Sequence, residues 1–396
     1  MLIQQIQMKN FLSFGPESEA IPLRPLNLIV GPNGSGKSNL IEAIALMQSA
    51  PSQLNVPIRE GGGVRDWLWK GSDKSVNASL EIIVDDILPK AKSNLIRYRF
   101  DFTENAGRFE IVDELIENAK AWPGHHDPYF YYRYENNHPV LNVKSASDAT
   151  SFPRPLRRED VDPEKSILAQ RRDPDSYPEI TRLAEVLASI RIYRDWSLGR
   201  YTPPRLPQPA DLPNLWLEEN ARNLGLVLNR LKRNMETKSR LLEMFKAIYS
   251  EAQDFDVMIE GGTVQIFVQE DRFNVPATRL SDGTLRYLCL LAILCDPSPP
   301  PLVCIDEPEL GLHPDLINHI ADALRYASQN TQLIVTTHST DLVDAFTDEP
   351  EIILVCEKLE GCSHMKRLDK EQLAPWLEKY RLGALWTSGE IGGNRW

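Results

Sequence analysis

No two cysteines in this chain are spaced as C-x-x-C, and no stretch reaches the roughly 18 apolar residues that a membrane-spanning helix needs. The five cysteines, Cys289, Cys295, Cys304, Cys356 and Cys362, are scattered, and four lie in or beside apolar runs. They read as buried free thiols in a reducing cytosol, which excludes a disulfide scaffold and argues against a zinc site. Excess basic charge is missing too. Lys and Arg number 44 against 56 Asp and Glu, a net charge of −12, so the surface as a whole is not built to hold nucleic acid. Any such contact has to come from a local basic patch. Sustained heptads are absent, which excludes a long coiled-coil arm. The opening MLIQQIQMKNFLSF alternates as a strand does and lacks a signal peptide's apolar core. The chain is therefore expected to be cytoplasmic, with no membrane partner, and to start folding at residue 2. What remains is a globular composition, 42% hydrophobic and 25% charged over 396 residues, enough for one large domain or two to three smaller ones.

The most informative stretch is GPNGSGKS at residues 31–38, which follows the apolar run 26–30 and opens a helical pattern at 39–48. Strand, glycine-rich loop and helix is the setting that G-x-x-x-x-G-K-S requires. A triphosphate needs many donors in a small space. Gly34 and Gly36 let the backbone turn so that successive N–H groups, those of Asn33 and Ser35 among them, face inward. The helix N-terminus, at Ser38 and Asn39, adds partial positive charge. Lys37 is expected to reach the β- and γ-phosphates and the Ser38 hydroxyl to ligate Mg²⁺, with ATP as the bound nucleotide.

The rest of the chain reads as follows. Residues 2–8 alternate as a half-buried strand, and Phe11 and Phe14 after it either stack on adenine or pack on the sheet edge. In IREGGGVRDWLWKG, residues 58–71, Arg59 and Arg65 bracket three glycines; a cation there either neutralises phosphate or is simply solvated. Residues 80–84, 96–102 and 108–112 read as antiparallel strands. From 121 to 209 the composition shifts toward Pro, Tyr, Arg and Asp. His125, His126 and His138 with Asp127 match no metal-ligand spacing and read as surface residues. Residues 183–192 are helical by spacing. Residues 201–213 hold five prolines and read as a linker. Residues 215–255 have helical periodicity, as one long helix or a helical pair forming a lid. Between 150 and 245 there are 17 Lys/Arg and 14 Asp/Glu, a balance of +3, and Arg230, Lys232, Arg233, Lys238 and Arg240 cluster on the lid. That cluster is either a nucleic-acid contact or a solvated helix face.

After a hairpin at 257–269, three more motifs stand at strand ends or helix starts: LSDGT at 280–284, LVCIDEPE at 302–309 and TTHS at 336–339. Buried strands alternate with helices there, so the sheet is parallel at its centre and a ligand belongs at the strands' carboxyl ends. Asp306 suits a metal-bound water or hydroxyl. Glu307 suits a general base that polarises the attacking water. His338 suits the γ-phosphate or the same water.

In combination these motifs resemble the ATP-binding-cassette class of P-loop ATPases. The resemblance is closest to the RecF/SMC-like branch, among bacterial AAA-type predicted ATPases related to the OLD-type domain. It rests on the N-terminal strand with its N-F-x-S-F loop, on SDGT where transporters carry SGGQ, on DEPELGLHP as strand end plus D-loop, and on THS as the switch histidine, and it covers residues 1–115 and 255–360. It implies an α/β head: a central parallel P-loop sheet, an N-terminal antiparallel β subdomain and an inserted helical lid, as an N-terminal lobe 1–120, an insert 121–255 and a C-terminal lobe 256–396. It implies ATP hydrolysis with Mg²⁺ held by Ser38 and Asp306, catalysis by Glu307 and His338, and a head-to-tail homodimer, open to larger assembly. Ser281 and Gly283 of one copy would contact the γ-phosphate held by Lys37 of the other. Asp282 departs from the pattern by placing an acid where the class has glycine, and Thr284 stands in place of glutamine. By similarity to an SMC-head loop, Arg59 is the nucleotide- or DNA-contacting arginine; Gln170 is a candidate for the Q-loop. The branch implies a regulator of a separately encoded, nuclease-like effector in phage defence or DNA metabolism, or alternatively a RecF-like repair scaffold that binds duplex DNA directly. About 60 residues follow His338, too few for an appended nuclease domain.

Overall fold

Burial with a period of two marks several strands within the first 155 residues. In Ala78–Val84 every second side chain is buried, and in Ile96–Asn105 the same face carries Ile96, Tyr98, Phe100 and Phe102. Such alternation makes a sheet with one face in the core. In the computed structural model, which describes residues 1–71, 76–85, 95–135, 138–144, 151–194 and 196–393, these strands join an eight-stranded antiparallel sheet. Its order is Ile21–Pro22, Ile3–Lys9, Ala78–Val84, Ile96–Asn105, Arg108–Asn118, Phe130–Glu135, His138–Lys144, Ser151–Pro155. It belongs to the first of two compact units, formed by Met1–Arg24, Gly31–Ile190 and Val355–Lys366. The same unit holds the helices Lys37–Ser49 and Pro178–Ala188 and the hairpin turn at Glu360 and Gly361.

The second unit comprises Pro25–Val30, Arg191–Leu354 and Arg367–Trp396. Four of its strands, Arg191–Tyr193, Leu302–Asp306, Gln332–Thr336 and Leu26–Val30, lie side by side in that order, all parallel. Leu26–Val30 and Gln332–Thr336 are buried at every position, as strands covered on both faces must be. Asn27, a polar residue in this core, is satisfied on both sides: its amide donates to the Leu333 carbonyl at 3.0 Å and its oxygen accepts from Arg367 at 2.7 Å. A smaller antiparallel sheet pairs Asp254–Glu260 with Thr263–Gln269, which is flanked by Gln208–Pro209 and Asn274–Pro276.

Two expectations change and one open alternative is decided. The division of the chain at residues 120 and 255 does not coincide with the two units. Nor is the segment from 121 onward all lid. Phe130–Glu135, His138–Lys144 and Ser151–Pro155 extend the antiparallel sheet, because FYYRYE is rich in the aromatic side chains that fit a pleated surface. The long helical pattern at 215–255 resolves into a pair, Leu224–Leu231 and Met235–Lys246, with Asn234 capping the second through Thr237 N–H. The five thiols are free, four of them buried. Burial pushes Cys356 up to about 11 and Cys295 and Cys304 up to about 12. Among the described residues no helix is long and apolar enough to cross a membrane, and no cluster of three metal-ligating side chains is present.

One buried carboxylate ties the helix Ile167–Gln170 to the antiparallel sheet. Glu114, 2% exposed, accepts from Tyr98 Oη at 3.0 Å, from Ile167 N at 2.9 Å, and from the Ser166 hydroxyl that caps the helix. Burial raises its pKa from 4.5 to about 7, partly opposed by those hydrogen bonds, with Asp113 adding to the rise. The folded state therefore holds this proton more tightly than the unfolded chain does. The resulting stabilisation is complete below about pH 4.5 and is lost as pH rises through about 7. Replacing Glu114 with Gln is expected to flatten the melting temperature's dependence on pH across that interval. An unaltered slope in scanning calorimetry would remove Glu114 as its source.

Candidate nucleotide-binding and catalytic residues

The glycine-rich loop lies in the first unit. Gly31 has φ of 151°, and a Cβ there would meet the Cys356 carbonyl oxygen at 2.2 Å. Gly36 caps the helix Lys37–Ser49 with φ of 108°, and a Cβ there would strike the hydroxyls of Ser363 and Ser13 at 2.3 and 2.7 Å. Both positions demand glycine on grounds of space as well as dihedral angle. Lys37 is only 6% exposed, and its ammonium donates to the carbonyls of Gly31 at 2.9 Å and Pro32 at 3.0 Å. Asn33, Gly34 and Ser38 are exposed. Ser35 Oγ is buried with no hydrogen-bond partner, an orphaned donor inside the loop. A tight cradle, a held ammonium and an unmatched hydroxyl fit a phosphate chain.

Other expected contacts go elsewhere. The Asn39 amide donates to Ser13 Oγ at 2.5 Å, which fastens the N-F-x-S-F loop to the helix start. Phe11 and Phe14 are buried; Phe11 packs 5.8 Å from Trp67 and 6.4 Å from Phe102, so they serve the core. Arg59 pairs loosely with Glu164 at 3.8 Å and borders a cleft of about 410 Å³ with Arg108 and Phe109. Arg65 is engaged in two hydrogen bonds to Glu104. The Gln170 side chain is bonded to Asp162 and Lys165 of its own loop, which accounts for its polar atoms and leaves the Q-loop role without a candidate.

The acidic group lies in the second unit, where the parallel strands end. Asp306 closes Leu302–Asp306 and accepts from the Thr336 hydroxyl across the sheet. Glu307 follows with φ of 46°, a left-handed backbone that no glycine relieves. Its N–H is held by Thr336, at 3.2 Å from both the carbonyl and the hydroxyl oxygen, and its carbonyl accepts from Arg286 at 3.1 Å. This turn sends consecutive carboxylates in different directions. Glu307 Oε1 comes to 3.4 Å from His338 Nε2, so the expected base and the expected switch histidine are brought together. Glu309 completes the cluster. Its Oε1 accepts from Thr337 Oγ1 at 2.6 Å and from His338 N at 3.0 Å, while Oε2 is buried without a partner. Burial raises the Glu309 pKa, opposed by the Thr337 hydroxyl. Glu309 and Thr336 stand inside the motifs DEPE and TTHS, but motif spacing alone gives neither a role.

The signature segment is the remaining part. Ser281 caps the helix Asp282–Leu294: its Oγ accepts from Thr284 N at 3.0 Å and lies 2.7 Å from Thr284 Oγ1. Gly283 comes close to the loop after the acidic cluster, since a Cβ there would sit 3.1 Å from the Gly311 carbonyl. Asp282, the departure from the expected glycine, is paired with Arg205. Arg205 lies in the stretch that reads as a linker, yet it is 6% exposed. A lone arginine among prolines carried no signal of burial.

Comparison with known proteins agrees with this architecture. The Old nuclease of Escherichia phage P2 is 23% identical over 93% of this chain and 61% of its own length, so the chain spans about three-fifths of that relative. The chromosome partition protein Smc of Fusobacterium nucleatum is 30% identical over a shorter stretch, 22% of this chain and 7% of its own. Among solved structures, an Smc head bound to the C-winged helix domain of ScpA superposes with a TM-score of 0.59 at 16% identity, covering 94% of this chain and 99% of the other. An Smc head with an extended coiled coil bound to the C-terminal domain of ScpA, from Pyrococcus furiosus, gives 0.58 at 15% identity, covering 96% and 99%. Residues 26–344 match the family model AAA_21, described as an AAA domain, putative AbiEii toxin, Type IV TA system. Loop, acidic strand end and family match together make this chain a member of the AAA_21 family, an ATPase of the ABC/SMC/OLD-like P-loop type.

Proposed function

We propose that this chain is an ATP-switched homodimer that hydrolyses ATP to ADP and phosphate and, through its two states, regulates a DNA-directed effector carried on another polypeptide. The observation that carries the proposal is the contact of Glu307 with His338 beside Asp306, at the carboxyl ends of parallel strands. Lys37 and the backbone of residues 33–39 grip the triphosphate. Ser38 and Asp306 would hold Mg²⁺, which, when bound, offsets charge between the β- and γ-oxygens. Glu307 takes a proton from the attacking water while His338 orients that water or the γ-phosphate. Thr336, Glu309 and Arg286 hold the backbone that carries these two side chains. Ser281 and Gly283 of the second copy complete the γ-phosphate site, so ATP favours the closed dimer and hydrolysis releases it.

The direct DNA-binding alternative draws less support. Of the five basic residues on the helical pair, Arg230 is engaged with Asp296, Lys232 with Asp256, Lys238 with Asp254, and Arg240 lies 3.8 Å over the Tyr326 ring. Arg233 is exposed. Cations neutralised within the chain release few counterions from DNA. The likeness to a named nuclease and to heads that bind ScpA supports a partner-directed role in phage defence or DNA metabolism.

Lys37→Ala is expected to abolish ATP binding in equilibrium dialysis. Glu307→Gln is expected to keep ATP, to lose at least about a hundredfold in hydrolysis, and to accumulate dimer; turnover at the parental rate would exclude Glu307 as the base. Ser281→Ala is expected to lower the ATP-dependent dimer fraction in light scattering, and an unchanged fraction would count against the shared site.

A further inference from the structure

An acid immediately after Ser281 is a liability if that serine meets a phosphate, because like charges repel at short range. The structure shows how the charge is handled. Arg205 lies in the proline-rich stretch more than seventy residues upstream, yet its guanidinium is buried under the signature segment. It donates from Nε to the Leu198 carbonyl at 2.7 Å, from Nη1 to the carbonyls of Ala277 at 3.2 Å and Leu280 at 2.5 Å, and from Nη2 to Asp282 Oδ1. Leu280 is the residue directly before the capping serine, and Ala277 begins the 3₁₀ turn before it. One planar fork therefore fixes the approach to the helix and its first acidic side chain together.

The pair is asymmetric. The Asp282 side chain is 73% exposed, whereas that of Arg205 is 5% exposed. The cation is anchored beneath and draws the carboxylate back toward itself. A buried cation with three carbonyl partners and one carboxylate is over-determined for a mere linker residue.

We infer that Arg205 is a positioning residue for the ATP-bridged dimer: it neutralises Asp282 and fixes the backbone at Leu280, so that Ser281 can face the γ-phosphate held by a second copy. This rests on the shared-site reading above. The proline-rich stretch thus contributes to the dimer-forming machinery through Arg205.

The test uses the full chain with Mg²⁺-ATP and reads dimer fraction by light scattering beside ATP uptake by equilibrium dialysis. Arg205→Gln is expected to raise the ATP concentration needed for half-dimerisation about tenfold, with uptake at the chain's own P-loop within about twofold of the parent. Adding Asp282→Asn to Arg205→Gln is expected to restore most of the dimer, because the uncompensated charge is then gone. Asp282→Lys changes an exposed side chain and leaves the Arg205 guanidinium itself in place, so it serves even if Arg205→Gln melts early. Repulsion from Arg205 is expected to displace the loop and reduce the dimer. A gain of dimer with Asp282→Lys, as simple attraction of a cation to phosphate would give, overturns the inference. So does parental dimerisation by Arg205→Gln, or a double variant no better than a folded Arg205→Gln. Ser281→Ala separates the two levels: if it dimerises like the parent, the shared site itself fails, and if it fails to dimerise while Arg205→Gln succeeds, only the role of Arg205 falls.

Discussion

Thr336 gives its hydroxyl hydrogen to Asp306 and receives the Glu307 amide on both its hydroxyl and its carbonyl oxygen. That small knot joins two neighbouring parallel strands at the edge where they end, and the acidic cluster depends on it. It holds Glu307 in a left-handed backbone that an L-residue adopts only under constraint, at a cost on the order of 1–3 kcal/mol. The strain has a geometric consequence. Two adjacent carboxylates diverge, Asp306 along its strand end and Glu307 toward His338. The Arg286 contact to the Glu307 carbonyl and the Glu309 contacts to Thr337 and His338 brace the turn from two other sides.

The same logic of bracing recurs at the glycine-rich loop. Ser13, Ser363 and Asn39 form a chain of hydroxyl and amide contacts, with Ser363 also reaching the Ser35 carbonyl. Three segments far apart in sequence thereby set the path of the loop. Gly36 is required because its neighbours are those serines, and Gly31 because the backbone at Cys356 passes so close. Residues that would touch phosphate are few; those that keep them in place are more numerous and come from all along the chain.

Where charge is concentrated, it is largely matched within the molecule. Three of the five basic residues of the helical pair, Arg230, Lys232 and Lys238, face Asp296, Asp256 and Asp254, and the acid in the signature segment faces Arg205. A count of charges along the chain reads these as patches because it cannot see which partner folding delivers. The same holds for Arg59: its position beside three glycines is plain in the sequence, but its pairing with Glu164 depends on a segment about a hundred residues away.

Local order was legible where the signal is local. The buried strand at 26–30, the glycine loop at a helix start, the acidic strand end and the serine at the start of the helix Asp282–Leu294 all follow from backbone geometry and side-chain chemistry within a few residues, so the sequence by itself determined these local elements. Tertiary structure alone decided that the aromatic stretch at 130–135 joins a sheet rather than a lid, that Phe11 and Phe14 are core, that Gln170 caps its own loop, and that Arg205 lies beneath Asp282. Each of those outcomes turns on burial and on hydrogen-bond partners brought from distant segments, which periodicity and spacing do not encode.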